Sequence, residues 1–218
     1  MLSFETNNHR STIKNHAEEG TAMILKLLTG LAIVVFSFPV FAAESAWQID
    51  PDHSSFQFKI RHLTVSNVKG VFSKSKGTVT IDDQNIAGLK VDLAIEAASI
   101  DTNHSKRDDH LRSPDFFDVA KYPAITFVSK KVTQNGPNQL KVTGDLTIRG
   151  VSKEVTVDVE GPTPEVKDPG GRLRRGATGA TRINRKDFGI TWNRVLDTGG
   201  LVVGDDVDIS IEVELIKK

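Results

Sequence analysis

His53, His62 and His110, together with Asp101, Arg107, Asp108, Arg185 and Asp187, are the residues of this 218-residue chain whose types could carry chemistry. A histidine beside a carboxylate can move protons near neutral pH, and its neutral ring nitrogen is a zinc ligand. Their spacing supplies no frame for either use. His53 and His62 fall in a stretch that alternates like a strand, His110 falls in an irregular segment, and no HExxH or GxSxG element occurs. No catalytic or metal-ligating residue is therefore assigned, and a metal-dependent enzyme built on the His/Asp/Arg cluster stands as an alternative. Within the cluster, Arg107, Asp108 and His110 admit two readings, contacts to the polar head of a ligand or a loop locked by ion pairs. Arginine paired with a carboxylate fixes geometry in two directions, and Phe116-Phe117 follows closely enough to plug an opening.

The elements that would position these residues are strands. Val207 to Leu215 alternates strictly between apolar and polar residues, so one face is buried and the other solvated. Phe56, Phe58, Ile60 and His62 alternate with Ser55, Gln57, Lys59 and Arg61, and similar runs cover 71–82, 91–96, 125–128, 140–148, 152–160 and 175–184. Asn135-Gly136-Pro137-Asn138 and Arg149-Gly150 read as hairpin turns, and Asp168-Pro169-Gly170-Gly171 as a longer loop. Strands with one apolar face suit an antiparallel sheet. The pattern breaks near 103–122, where a short helix and loop are expected. The fold class is thus all-β, with about eight antiparallel strands closed into a barrel able to hold one ligand, and a sandwich as the alternative.

Composition narrows the function classes. Twenty-eight Lys and Arg balance 28 Asp and Glu, which gives no basic footprint for nucleic acid. The absence of cysteine excludes disulfides, thiolate metal sites and thiol nucleophiles. Residues 23–42 start with Met23 and Lys26, continue through an apolar run from Leu27 to Phe38, and end at Val40-Phe41-Ala42. That is the layout of a cleaved signal peptide, too short in its apolar part to span a membrane. Polar residues 1–22 precede it and read as a misassigned upstream segment, leaving 43–218 as one exported domain. Charge balance survives this removal, because Arg10, Lys14 and Lys26 leave with Glu5, Glu18 and Glu19.

Several motifs occur in a fixed order: Trp47-Gln48-Ile49-Asp50-Pro51-Asp52-His53-Ser54, Arg61-His62-Leu63, Gly70-Val71-Phe72, Ser99-Ile100-Asp101-Thr102 and Arg107-Asp108-Asp109-His110-Leu111. Asp115-Phe116-Phe117-Asp118, Tyr122-Pro123-Ala124-Ile125-Thr126-Phe127, Gly144 to Val151, Asn184 to Ile190 and Val203-Gly204-Asp205 complete the series. From Trp47 to the C-terminus the chain resembles the YceI-like family of exported bacterial proteins. The resemblance implies an eight-stranded, lipocalin-like antiparallel barrel whose elongated apolar interior holds a polyisoprenoid or related long-chain amphipathic lipid. It also implies a periplasmic protein, often a homodimer, without catalytic activity. The ligand would be an isoprenoid lipid or isoprenoid quinone with no separate cofactor, carried for sequestration or transport, with transient membrane contact and no nucleic-acid partner.

The residues expected on the ligand are Phe56, Phe58, Ile60, Phe72, Leu93, Ile95, Phe127, Phe188 and Trp192 from inward faces, with Arg107, Asp108, His110, Phe116 and Phe117 from the irregular segment. Large apolar groups with almost no phenolic hydroxyl suit hydrocarbon. Each of these apolar residues also fits plain core packing. A third class, an envelope stress-related structural or interaction protein, would use 207–217 as an exposed edge strand for a partner chain.

Overall fold

The computed structural model describes residues 44–197 and 199–218. The upstream segment 1–22 and signal peptide 23–42 expected from the sequence lie outside the described residues. Twelve strands follow in chain order: β1 (Ser45–Ile49), β2 (Ser55–His62), β3 (Ser66–Phe72), β4 (Ser75–Ile81), β5 (Lys90–Glu96), β6 (Ile100–Asp101), β7 (Ala124–Gly136), β8 (Gln139–Ile148), β9 (Val151–Glu160), β10 (Val166–Lys167), β11 (Leu173–Asn184) and β12 (Val203–Lys217). Several of them are pieces of one bent ribbon. β1 and β2 both pair with β12, β3 pairs with β2 while β4 pairs with β1, and β5 and β6 continue beside β4 and β3. Counted as ribbons, eight antiparallel staves run β1/β2, β3/β4, β5/β6, β7, β8, β9, β11 and β12, and β11 pairs with β12 to close the barrel.

Closure overturns one expectation. Segment 207–217 is no edge, because β12 is paired on one side with β11 and on the other with β1 and β2, and its backbone donors and acceptors are already used. The run expected at 71–82 is also interrupted. At the bend between β3 and β4, Ser73 N donates to Ser99 O at 3.2 Å and Lys74 N to Ser99 Oγ at 3.2 Å, so a neighbouring loop replaces the ladder there.

Turn chemistry fixes the register. Arg149 and Gly150 both take positive φ, 51° and 75°, the mirror-image turn that matches the twist of a two-residue hairpin between Ile148 and Val151. Gly144 on β8 is required by close approach, since a Cβ there would stand 2.4 Å from Val128 O and 2.7 Å from the Phe127 ring. The irregular segment forms the expected short helix, α1 (Ser105–Arg112). His104 Nδ1 accepts from Arg107 N at its start, and Arg112 ties it to the barrel by donating to Ala98 O and Ile100 O. Among the described residues no helix is long and apolar enough to cross a membrane.

Candidate functional site

Inward-facing residues of all eight staves surround a cavity of about 550 Å³, within the range of small-molecule sites. All seven phenylalanines of the described residues line it: Phe56, Phe58, Phe72, Phe116, Phe117, Phe127 and Phe188. Ile60, Leu93, Ile95 and Trp192 do so as well. Among the described residues no Asp or Glu reaches the lining, and its charged or ionisable groups, Arg61, His62, His104, Lys106, Arg107, His110 and Arg185, are all basic. Arg61, His104 and Lys106 are exposed, which places the opening at the end of the barrel formed by the β2–β3 turn, α1 and the segment before β12.

Aromatic rings cap that end. His110 packs edge-on against Phe116 and Trp192, with centroids 4.9 and 5.0 Å apart, and Phe116 lies 5.2 Å from Trp192. Phe117 meets Phe72 edge-on at 5.7 Å, and Phe72 lies 5.9 Å from Phe58. Phe116 and Phe117 thus sit where a plug was expected, joined to the wall through β3 and to the segment before β12 through Trp192. His110 Nε2 also lies 2.9 Å from Asp115 Oδ2, which fixes the ring from outside.

The Arg107, Asp108 and His110 cluster divides. Asp108 is buried and takes no part in the lining; its Oδ1 accepts from Thr102 N at 2.9 Å and Thr102 Oγ1 at 2.5 Å. It locks the loop between β6 and α1. Arg107 uses Nε and Nη2 on Thr102 Oγ1 and O, at 2.7 and 2.8 Å, so one edge of the guanidinium is committed to the same lock. Arg107 and His110 border the cavity as well.

The remaining residues with chemical potential are brought to separate places. Arg185 is buried and bonded to Gly204 O, Ile190 O, Trp192 O and Asp205. Burial pulls its pKa below the ordinary arginine value, against the opposing pull of Asp205. Its role is to hold the segment leading into β12. Asp101 Oδ1 accepts from Asn103 N, and Asp187 stands exposed in the short 3-10 turn after β11. His62 lies at the opening, whereas His53 lies at the far end, beside β12 residue Glu214.

That far end holds a charge cluster that sequence reasoning passed over. Arg174 Nη1 donates to Asp50 Oδ2 at 2.7 Å and also to Glu214, while Nε donates to Asp168 Oδ2 at 2.7 Å. Burial would raise the Asp50 pKa, but bonds from Arg174 and His53 outweigh it and bring it down to about 2. The bond to Asp50 raises that of His53 in turn. Asp50, His53 and Glu214 offer ligand atoms within 4.8 Å of one another. The Arg174 guanidinium already bonds two of them, so the cluster is neutralised by its own cation. Alternate basic residues at Arg172 and Arg174, at the entry to β11, were the available signal.

Sequence reasoning also missed much of the aliphatic wall, including Val79, Leu140, Val142, Val157, Ile209 and Ile211. These residues stand in alternating runs like those of Ile60, Leu93 and Ile95, and period two does not separate ligand wall from core among them.

The chain matches the family described as YceI-like domain over residues 47–215. A UPF0312 protein of Vibrio parahaemolyticus is 39% identical over 194 residues, covering 87% of this chain and 96% of that one. BcnA of Burkholderia cenocepacia has a similar structure, with TM-score 0.65 and 28% identity over 76% of this chain and 98% of its own. A polyisoprenoid binding domain from Saccharophagus degradans shares the fold at 16% identity, with TM-score 0.58 and coverage of 80% and 99%.

Proposed function

The chain belongs to the YceI-like family, and we propose that it binds one long-chain polyisoprenoid or related amphipathic lipid inside its barrel, as a carrier or reservoir in the periplasm and without catalysis. The observation that carries this reading is the cavity wall, apolar over its length and basic only at the open end. An isolated water molecule gains few partners on such a wall, whereas each buried methylene contributes about 0.8 kcal/mol. The Saccharophagus degradans domain, described as polyisoprenoid binding, lends the isoprenoid class. The aromatic cap suits a carrier, since a long apolar chain must be shielded from water in transit. In this reading Arg107 and His110 stand beside the head group, while Asp108 serves them only by fixing the loop.

Trp192 reports on occupancy, because it borders the cavity while Trp47 is fully buried elsewhere in the core. Titrating a long all-trans polyprenol into delipidated protein should give a saturable change in tryptophan emission, at about one ligand per chain, that Trp192→Phe abolishes. Emission that never saturates, in a protein that also retains no polyprenol through gel filtration, would overturn the reading.

A further inference from the structure

Five large apolar side chains are exposed among the described residues, and three of them, Val65 (77%), Val195 (74%) and Leu201 (38%), stand at the open end of the barrel. Single exposed apolar residues are ordinary on a protein surface. These three are set apart by their placement on two segments that are bonded together at the cavity opening. Leu63 N donates to Val202 O at 2.9 Å, His62 pairs with Val203, and Val195 faces Leu201 across a bridge. His62, Val202 and Val203, on the same two segments, line the cavity.

The turn that carries Val65 is held in an uncommon shape. Leu63 and Thr64 both have positive φ, 51° and 62°, a region that larger and β-branched residues rarely enter. Arg61 secures it by donating Nε and Nη2 to Thr64 O at 3.0 and 2.6 Å. Such strain persists where the surroundings over-determine it, and it concentrates at functional positions. Around these apolar tips lie cations. Arg61, Lys106 and Arg107 border the cavity, and Arg194 lies over the Trp192 ring at 5.9 Å. Asp197 is the one carboxylate between residues 190 and 203, and on α1 and the loop after it Asp109 is paired with Arg112 and Asp115 with His110.

Exposed apolar tips set among basic side chains are the composition of a surface that rests in the headgroup region of an anionic bilayer. We propose that the β2–β3 turn and the segment before β12 dock on an anionic lipid membrane, holding the cavity opening against the bilayer. This inference rests on the lipid-carrier reading for its purpose only. A protein that docks but holds no lipid would leave the docking intact and sink the carrier.

The test is co-sedimentation of the protein purified from expressing cells with vesicles of phosphatidylglycerol and phosphatidylethanolamine, compared with phosphatidylcholine alone. Binding should favour the anionic vesicles, and Lys106→Glu with Arg194→Glu should remove that preference. Val65→Asp, Val195→Asp and Leu201→Asp together should weaken binding at least about tenfold, through loss of apolar contacts and repulsion of the added carboxylates by the anionic surface. All five positions are exposed, so the fold should survive, as circular dichroism would show. Val128→Asp with Val166→Asp, exposed apolar sites on other strands, should leave binding unchanged. Equal binding by the rim variant, or an equal loss in the Val128 and Val166 control, would overturn the proposal. A dimer that the rim substitutions convert to monomer would assign the face to a second copy and also overturn it.

Discussion

Affinity for a homologous series of single-chain amphiphiles should rise with chain length and then stop. The cavity of about 550 Å³ has room for at least about eighteen water-sized groups at about 30 Å³ each, and a methylene is of similar bulk. Below that length each added methylene should contribute about 0.8 kcal/mol, or about fourfold in Kd. Gross burial for a filled cavity then reaches at least about 14 kcal/mol, against about 4–15 kcal/mol lost on association. Short chains should therefore bind weakly, with useful affinity emerging only as the interior fills. Beyond the filling length further carbons lie in the opening and add little. Val142→Trp offers an internal control, because Val142 is buried on β8 and borders the cavity. The indole adds about seven heavy atoms of apolar bulk, so the plateau should begin about seven carbons earlier. Displacement of a bound fluorescent chain at submicellar concentrations measures the series. Affinity that ignores chain length below the plateau, or a plateau that Val142→Trp does not move while the variant stays folded, would refute the reasoning.

Other outcomes follow from particular contacts. Asp108→Ala removes a buried carboxylate that accepts two hydrogen bonds from Thr102, costing about 3 kcal/mol. At about 2–4 °C per kcal/mol, its melting temperature should fall by roughly 6–12 °C, while lipid content of the folded fraction stays the same; lost lipid with unchanged melting would place Asp108 on the head group instead. Gly144→Ala should destabilise by more than about 2 kcal/mol, because its Cβ would meet the Val128 carbonyl, a backbone atom that cannot rotate away; an unchanged denaturation midpoint would contradict the packing. The Asp50 pKa is lowered from 3.8 to about 2, so its contribution to stability is present above about pH 4 and lost as pH falls through about 2. Asp50→Asn should accordingly flatten the acid limb of melting temperature against pH, and an identical limb would sink that assignment.

Strand alternation carried the fold because each stave has one face on the interior and one in water, which period two records directly. It could not show the bend at Ser73 and Lys74, where the Ser99 carbonyl and hydroxyl, remote in sequence, replace the ladder. Nor could it show that 207–217 is paired on both sides, since closure depends on β11 meeting β12 and leaves no local mark. The aromatic part of the wall was legible from residue size, and the aliphatic part was present in the same runs. The role of Asp108 was undecidable from sequence, because a carboxylate on a short helix can turn either toward a ligand or toward a backbone amide. The Arg174 hub joins residues from β11, β12, the turn after β1 and the loop after β10, a meeting that only the folded barrel creates.

Mass spectrometry of the protein taken from the envelope of its native host, ionised intact and then extracted, bears most directly on the central claim. The account predicts one long-chain lipid per chain, lost on organic extraction and regained on exposure to polyisoprenoid or isoprenoid quinone mixtures. A protein that emerges empty, and stays empty after that exposure, would contradict it.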